Sequence, residues 1–404
     1  MKGKRLTLGL FATLVAPVLL AAMMAGCSTV AEKGPGTYFN PKDGNAVSDV
    51  TNVQASVRRT VAFLGGSITE MNGFRPRVMK ALRAKYPDVA FTEFAAGLSS
   101  TCSDTAAFRL RRDLLSQCVP DLLIVDEAVN DDQDGHFGRE HAVRGLEGIV
   151  RQALLANPRC RIVLALMVNE GQYAELLKGK VPLQYAVEKE VAGHYGLAVA
   201  DVGSALADSA RAGGMSWTEY KDCHPSPVGC DLGAKVVMDA ISSVFDPRAE
   251  ALPQALPAPM DGFSYFNACE VPLGSVSGGV AWKVSELDWS AVPGDKRGYF
   301  TRGDVLWCET TNATASVTFE GTAIGFMLTA GPDAGDLEVS VDGGDFTPVR
   351  LRANYGRLHY PYTVMLADGL ASGRHTVLFR VVAVRRGERI GTTVRINRIY
   401  ANGI

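Results

Sequence analysis

Four residues in three segments of the chain are of the types that hydrolyse esters. Ser67 follows the apolar run 61–64 and two glycines, a pattern that presents a hydroxyl at the carboxyl end of a strand. Asn130 ends the strand-like run that starts at residue 121, and His224 opens a proline-containing turn two residues after Asp222. A serine activated by a histidine, which an acid orients, is the chemistry of acyl transfer.

Alternating strands and helices must position these residues. The apolar periodicity predicts strands at 60–65, 89–95, 121–128, 161–168 and 197–202, and helices at 75–86, 105–118, 141–156, 181–195 and 228–245. This alternation predicts a parallel sheet with helices on both faces. Active sites of such sheets lie outside the carboxyl ends of the strands, where Ser67 and Asn130 are expected.

Three sequence blocks carry a resemblance to a known family. "GGSIT" at 65–69, "AVND" at 128–131 and "DCHPSPVG" at 222–229 occur in the order and spacing of the SGNH hydrolases, also called GDSL-type esterases and lipases. The resemblance covers roughly residues 58–246. It implies a three-layer α/β/α sandwich with a flavodoxin-like parallel sheet.

The resemblance also implies a role for each site residue. Ser67 is the expected nucleophile, His224 its general base and Asp222 the acid that orients the histidine. The expected oxyanion donors are the N–H of Ser67, the backbone at Gly97 and Ser100, and the side chain of Asn130.

Two features depart from the family pattern. The family's second block usually reads Asn-x-Gly-x-x-Gly, whereas residues 95–100 keep only the first glycine, so the expected main-chain donor falls at Ser100. The family usually spaces its acid Asp-x-x-His, and Lys221 stands at that place here, with Asp222 one residue later. If Asp222 does not reach the imidazole, the site works as a dyad with a backbone carbonyl orienting the ring.

The pattern changes after residue 261. Short alternating runs at 315–319, 323–328, 337–341, 376–384 and 393–400 are separated by glycines, and "VDGGD" at 341–345 predicts a hairpin. An all-β sandwich is therefore predicted, resembling the jelly-roll modules of carbohydrate-active enzymes. Trp282, Trp289 and Trp307 lie here and either stack on sugar rings or fill the core.

The amino terminus predicts export. A basic start at residues 2–5 precedes an apolar run from Leu6 to Met24, and Ala25 and Gly26 stand before Cys27. This resembles a lipoprotein signal, with lipidation at Cys27 that would anchor the protein to a cell membrane or outer membrane, facing the periplasm or the exterior. An ordinary secretory signal is the alternative. The predicted organisation is a signal at 1–27, a tether at 28–56, a hydrolase domain at 57–246, a proline-rich linker at 247–261 and a β-sandwich at 262–404.

Composition excludes some classes of partner. The chain of 404 residues is 47% hydrophobic and 21% charged, which is typical of globular domains. Its formal net charge of -2 offers no basic field for nucleic acid. The expected partners are an acylated carbohydrate or another small ester, and a membrane through the lipid anchor alone.

The cysteines allow several arrangements. Seven follow Cys27, so export would leave at least one thiol unpaired, and Cys223–Cys230 and Cys269–Cys308 are conceivable disulfides. A zinc site of Cys223, His224 and Cys230 would lack a fourth ligand. The acidic run 130–135 has EF-hand spacing but ends on His141 at the twelfth position, so it is expected to be a solvated loop. The hydrolysis proposed needs no metal or other cofactor.

The sequence thus favours an exported serine esterase that removes a small acyl group, most simply acetyl, from a carbohydrate. A lipase or thioesterase acting on other acyl esters would use the same residues. A surface glycan-binding protein with an inactive hydrolase domain is the alternative of another class.

Overall fold

The computed structural model describes residues 57–296, 301–351, 357–386 and 389–404. The predicted signal, Cys27 and the tether at 28–56 lie outside the described residues. Within the described ranges, no helix is both long enough and apolar enough to cross a bilayer.

A five-stranded parallel sheet forms the centre of the first domain. Its order is β2-β1-β3-β4-β5, the flavodoxin-like arrangement. The central strands are apolar and buried because helices cover both faces of a parallel sheet. The predicted α/β class is confirmed, and the strands are β1 (Val57–Gly65), β2 (Val89–Gly97), β3 (Leu122–Asp126), β4 (Arg161–Leu166) and β5 (Ala198–Asp201).

The register brings three strand ends to one edge. Gly65 at the end of β1 pairs with Gly97 of β2 and with Asp126 of β3. The chain reverses its direction of winding between β1 and β3, which is the topological switch point where such sheets bind ligands. The segments that follow β1, β2 and β3 therefore meet there.

The helices differ from the sequence prediction in three places. α3 passes into a π-helical turn at Arg111–Leu115, α6 was not predicted, and α4 occupies the start of the expected acidic loop. The helices are α1 (Ser67–Glu70), α2 (Phe74–Lys85), α3 (Ser103–Leu110), α4 (Ala128–Gln133), α5 (Arg139–Ala156), α6 (Glu170–Leu177), α7 (Leu183–Tyr195), α8 (Val202–Arg211), α9 (Trp217–Tyr220) and α10 (Pro227–Val244).

The second half of the chain is all-β, as predicted. One sheet has the order β8-β10-β19-β12-β15-β9 with β6 beside β19, and the other has the order β14-β13-β16-β11-β7. The predicted hairpin joins β13 to β14. The strands are β6 (Ala268–Val271), β7 (Ser277–Gly278), β8 (Lys283–Ser285), β9 (Asp295–Lys296), β10 (Val305–Cys308), β11 (Thr314–Gly321), β12 (Ala323–Ala330), β13 (Asp336–Val341), β14 (Thr347–Val349), β15 (Leu358–Ala367), β16 (Gly373–Val382), β17 (Val384–Arg386), β18 (Arg389–Gly391) and β19 (Val394–Asn402).

The three tryptophans of this half have different surroundings. Trp282 is buried in the sandwich core and meets Phe379 edge to face at 5.1 Å. Trp289 and Trp307 are half-buried. Core filling therefore accounts for Trp282, while the other two rings keep partly open faces.

The proline-rich segment lies along the first domain. Arg151 donates to the carbonyl of Pro257 at 2.7 Å, and Arg161 donates to the carbonyl of Leu252 at 3.0 Å. The carboxylate of Glu147, fully buried in α5, accepts hydrogen bonds from the N–H of Met260 at 2.6 Å and of Asp261 at 3.0 Å. Charged groups inside the fold need such partners, so these contacts fix the path of the segment.

Aromatic stacking joins the two domains. Phe108 of α3 stacks between Tyr265, at a centroid distance of 4.8 Å, and Tyr400 of β19, at 5.3 Å. Arg144 of α5 forms ion pairs of 2.9 Å with Asp261 and with Asp368. The β-domain thus rests on α3 and α5 through a largely buried, mixed interface.

Neither expected disulfide forms. Cys223, Cys230 and Cys308 are all free thiols. The sulfur of Cys230 lies 3.5 Å from the carbonyl of Pro225, whereas that of Cys223 lies 3.5 Å from the ring of His224. The two sulfurs of the expected short loop therefore have different neighbours, because α10 begins between them and turns Cys230 toward the domain interior.

Candidate active site

Ser67 lies at the carboxyl end of β1, as the first residue of α1. Gly66 caps this short helix, and a Cβ there would overlap the side-chain oxygen of Asn130. Gly97 likewise lies against the backbone of Glu70 so closely that a Cβ would overlap it. The glycines therefore let the serine turn sit tightly between the ends of β2 and β3.

The hydroxyl of Ser67 meets His224. The distance between Ser67 Oγ and His224 Nε2 is 2.7 Å, although 157 residues separate them in the sequence. Ser226 caps α10 just after the histidine and donates its hydroxyl to the carbonyl of Glu219 at 2.5 Å. The histidine turn is thus held at both sides, and the pair has the geometry of a nucleophile and its general base.

Asp222 lies beside His224 without a hydrogen bond to the ring. One carboxylate oxygen, Oδ1, accepts the backbone N–H of His224 at 2.6 Å and stands 3.7 Å from Nδ1. The thiol of Cys223 is a closer neighbour of Nδ1, at 3.5 Å. The side chains of His224 and Asp222 are 42% and 49% exposed, so water screens the charge of the acid.

The loop after β2 is fastened to the serine turn. The carboxylate of Glu70 accepts the N–H of Ser99 at 2.7 Å and also its hydroxyl. The N–H of Leu98 donates to the carbonyl of Gly65 at 2.9 Å. Ser100 adopts a φ of 65°, in the left-handed region that replaces the glycine usual in the family. Because Ser99 spends its N–H on Glu70, the main-chain donor expected in this loop is that of Ser100.

Asn130 is in α4 and buried under the serine turn. Its side-chain nitrogen donates to Asp134 at 2.7 Å. An amide nitrogen carries two hydrogens, so one is left for an oxyanion. The structure therefore brings together Ser67, His224 and Asn130.

Two residues that support the site were not recognised in the sequence. Arg109, 1% exposed, donates to the carbonyls of Gly65 at 3.1 Å and of Ala96 at 2.6 Å. It thus ties the ends of β1 and β2 together from α3. Glu70 fixes the loop of Ser99 as described. No local signal marks either of them, because a charged residue in a helix is ordinarily solvent-exposed.

The acidic run from residue 130 is not the solvated loop that was expected. Asn130, Asp131 and Asp134 are buried, and each carboxylate has its own partner: Asp131 accepts the N–H of Ser103 at 2.8 Å. The reason is that α4 turns these side chains inward, under the switch point. Among the residues that the structure describes, one group could supply three metal ligands, and it consists of Asp222, Cys223 and His224.

Burial shifts several carboxyl groups near the sheet edge. Loss of hydration raises the pKa of Asp126 to about 7, although the hydroxyl of Thr69 donates to it at 3.0 Å. Burial also raises the pKa of Asp131 to about 7, and it raises the pKa values of Glu127 and Glu188 well above their usual range. These groups carry protons at a pH where surface carboxylates do not.

Asp126→Asn is expected to stabilise the protein at alkaline pH. The ordinary carboxyl pKa is 3.8 and that of folded Asp126 about 7, so the folded state binds the proton more tightly. Stability therefore falls as the pH rises from about 4 to 7, by roughly 4 kcal/mol for a shift of this size. Asparagine resembles the protonated form and removes this dependence, which urea unfolding at pH 5 and pH 8 measures.

Asp239→Asn on the exposed face of α10 is the matched control. It should change stability little at either pH. Equal stability of Asp126→Asn and the wild type at pH 8 would contradict the assigned protonation.

The comparison with known families supports this geometry. Residues 63–232 match the model of the GDSL-like Lipase/Acylhydrolase family, a range that contains Ser67, Asn130 and His224. No curated protein matches the sequence.

Several solved structures are similar. A two-domain esterase (CEX) active on acetylated mannans, co-crystallised with mannopentaose, has a TM-score of 0.68 and 20% identity, covering 86% of this chain and 91% of that one. The same esterase in a second crystal structure gives the same values. A variant of Axe2, an acetyl xylan esterase from Geobacillus stearothermophilus, has 20% identity over 45% of this chain and 94% of its own, with a TM-score of 0.38.

The two-domain architecture is thus shared with a known esterase, and the catalytic blocks fall within the matched family domain. The chain belongs, through residues 63–232, to the GDSL-like lipase/acylhydrolase family, and it is a carboxylic ester hydrolase.

Proposed function

We propose that this protein is an exported carbohydrate O-acetylesterase that uses Ser67 as nucleophile and His224 as general base. The observation that carries the proposal is the 2.7 Å contact between Ser67 Oγ and His224 Nε2 at the switch point of the sheet. The fold of both domains is that of an esterase described as active on acetylated mannans, which favours an acetylated polysaccharide as substrate.

The reaction follows from the geometry. Ser67 Oγ attacks the acetyl carbonyl while its proton passes to His224 Nε2. The tetrahedral intermediate then expels the sugar oxygen, which takes that proton, and an acetyl-serine remains. Water, deprotonated by Nε2, attacks the acetyl-serine and releases acetate. The ring must start with its proton on Nδ1, so that Nε2 can accept.

Three donors converge on the expected position of the oxyanion. The N–H of Ser67 opens a helix and has no acceptor within it. The N–H of Ser100 belongs to the loop that Glu70 fastens, and the side chain of Asn130 keeps one hydrogen free of Asp134. Preorganised donors of this kind each contribute about 3 kcal/mol to the transition state.

A chain-length series tests the reaction class. Hydrolysis of p-nitrophenyl acetate, butyrate and octanoate should be fastest for the acetate. Release of acetate from acetylated mannan should then exceed release from acetylated xylan. Preference for octanoate would indicate a lipase, and a folded protein that binds mannan but hydrolyses no ester would be a binding protein.

The membrane anchor is a further part of the proposal. It rests on the basic start, the apolar run and the small residues before Cys27. A lipid at this cysteine, followed by the tether at 28–56, would hold the enzyme at a membrane surface within reach of extracellular glycans.

Cys27→Ser is expected to remove the protein from the membrane fraction or to block its maturation. A thioether cannot form on serine, so neither the lipid nor the anchored form should appear. Fractionation of cells with an antibody against the protein measures this, with Cys118→Ser as the control that keeps the wild-type distribution. A mature Cys27→Ser protein that still pellets with membranes would refute the anchor at this residue.

A further inference from the structure

The residues around the far nitrogen of His224 form a cluster of metal-binding atoms. The carboxylate of Asp222, the sulfur of Cys223 and a ring nitrogen of His224 all lie within 4.8 Å of one another. We infer that these three side chains bind Zn²⁺ and that the bound ion reversibly inhibits the esterase. The inhibitory part rests on the proposed role of His224.

The distances fit a tetrahedral ion. Nδ1 of His224 lies 3.5 Å from the sulfur of Cys223 and 3.7 Å from Oδ1 of Asp222. Zinc bonds of about 2.0 to 2.3 Å at tetrahedral angles place neighbouring ligand atoms about 3.3 to 3.6 Å apart. The observed separations need to shrink by a few tenths of an ångström at most, which side-chain rotation supplies.

The surroundings leave the ligand atoms accessible. All three residues are partly exposed, so a water molecule can complete the coordination. Oδ1 of Asp222 accepts one hydrogen bond, from the N–H of His224, and retains a second lone pair, while Lys221 approaches the other oxygen, Oδ2, at 3.7 Å. The hydrogen bond to Ser67 occupies Nε2, so Nδ1 is the ring atom that meets the ion.

The ligand types select the metal. Thiolate, imidazole and carboxylate together are the set that Zn²⁺ prefers, whereas Ca²⁺ and Mg²⁺ prefer oxygen alone. The sequence expectation of a zinc site with Cys230 is replaced, because Cys230 lies beside Pro225 and Asp222 supplies the third ligand instead.

Binding moves two protons. The thiol of Cys223 releases its proton to water and becomes the thiolate ligand. The neutral ring of His224 gives its Nδ1 lone pair to the ion, so its proton resides on Nε2. Nε2 then donates toward Ser67 Oγ instead of accepting from it, and the nucleophile has no base. Removal of the ion restores the Nδ1–H form.

Direct binding is tested apart from catalysis. Co²⁺ added to the Ser67→Ala protein should produce the near-ultraviolet absorption of a cobalt–thiolate bond, and Zn²⁺ should displace it. Adding Cys223→Ser should abolish the band and weaken Zn²⁺ binding, measured by calorimetry, by more than the ten- to hundredfold that an outer-shell loss costs. Adding Cys118→Ser instead should keep both, and adding Asp222→Asn should weaken Zn²⁺ at least tenfold.

Inhibition is measured with p-nitrophenyl acetate. Zn²⁺ should inhibit the wild type and a chelator should restore the rate, while Cys223→Ser should need at least tenfold more Zn²⁺ for half-inhibition relative to its own metal-free rate. Equal Zn²⁺ affinity in the Cys223→Ser and Cys118→Ser proteins would overturn the site. Binding through Cys223 without inhibition would overturn the regulatory role, and a protein without esterase activity but with the cobalt–thiolate band would refute the proposed function and leave the site standing.

Discussion

Ser67→Ala should lower ester hydrolysis by about ten-thousandfold or more while leaving the fold unchanged. The reason is that Ser67 is the hydroxyl in contact with His224 Nε2, at 2.7 Å, so the variant leaves the base without a nucleophile. Alanine fits the turn because the residue's backbone is helical and its side chain makes no other hydrogen bond that the structure records. Turnover of p-nitrophenyl acetate measures the loss.

The matched control is Ser116→Ala. This exposed hydroxyl donates to the carbonyl of Arg112 within the same turn, at 2.7 Å, and has no part in the site. Its activity should equal that of the wild type. Wild-type turnover by a folded Ser67→Ala protein would refute the nucleophile and with it the proposed mechanism.

The second large effect is expected from His224→Ala, measured in parallel with Asp222→Asn. Loss of the ring removes the group that takes the Ser67 proton, so activity should fall by about ten-thousandfold. Asp222→Asn should cost far less, about tenfold. The carboxylate stands 3.7 Å from Nδ1, and two charges at that distance attract by about 1 kcal/mol in water and about 4 kcal/mol at a dielectric constant near 20.

Because about half of the Asp222 side chain is exposed, the value near that of water applies. A loss of a thousandfold or more in Asp222→Asn would contradict this and would show that the carboxylate closes onto the ring during turnover, as in a triad. An active His224→Ala protein would refute the catalytic assignment altogether. Circular dichroism of both variants establishes that they are folded.

The α/β architecture was predictable because its signals are local. Apolar runs of strand length alternate with helical periodicity, and each strand end is followed by glycine or asparagine. Once the strands are parallel, their carboxyl ends must share an edge, so Ser67 and Asn130 had to approach one another. The shift from helices to short glycine-separated strands after residue 261 made the second domain equally apparent.

The acidic run 130–135 illustrates a local signal that failed. Three aspartates within four residues are typical of a solvated loop, yet α4 places Asp131 and Asp134 in the interior. What makes this tolerable is a set of partners from distant segments, such as the N–H of Ser103 for Asp131. Their distance in sequence kept those partners out of the prediction.

The sequence by itself determined the family blocks, the two fold classes and the candidate nucleophile and base, since each depends on residue types at short spacing. The tertiary structure alone decided that Arg109 ties the ends of β1 and β2, that Glu70 fastens the loop of Ser99, and that Cys223 stands nearer to His224 Nδ1 than Asp222 does. Such contacts depend on differences of a few tenths of an ångström between side chains brought together by packing. Neither composition nor spacing along the chain fixes distances on that scale.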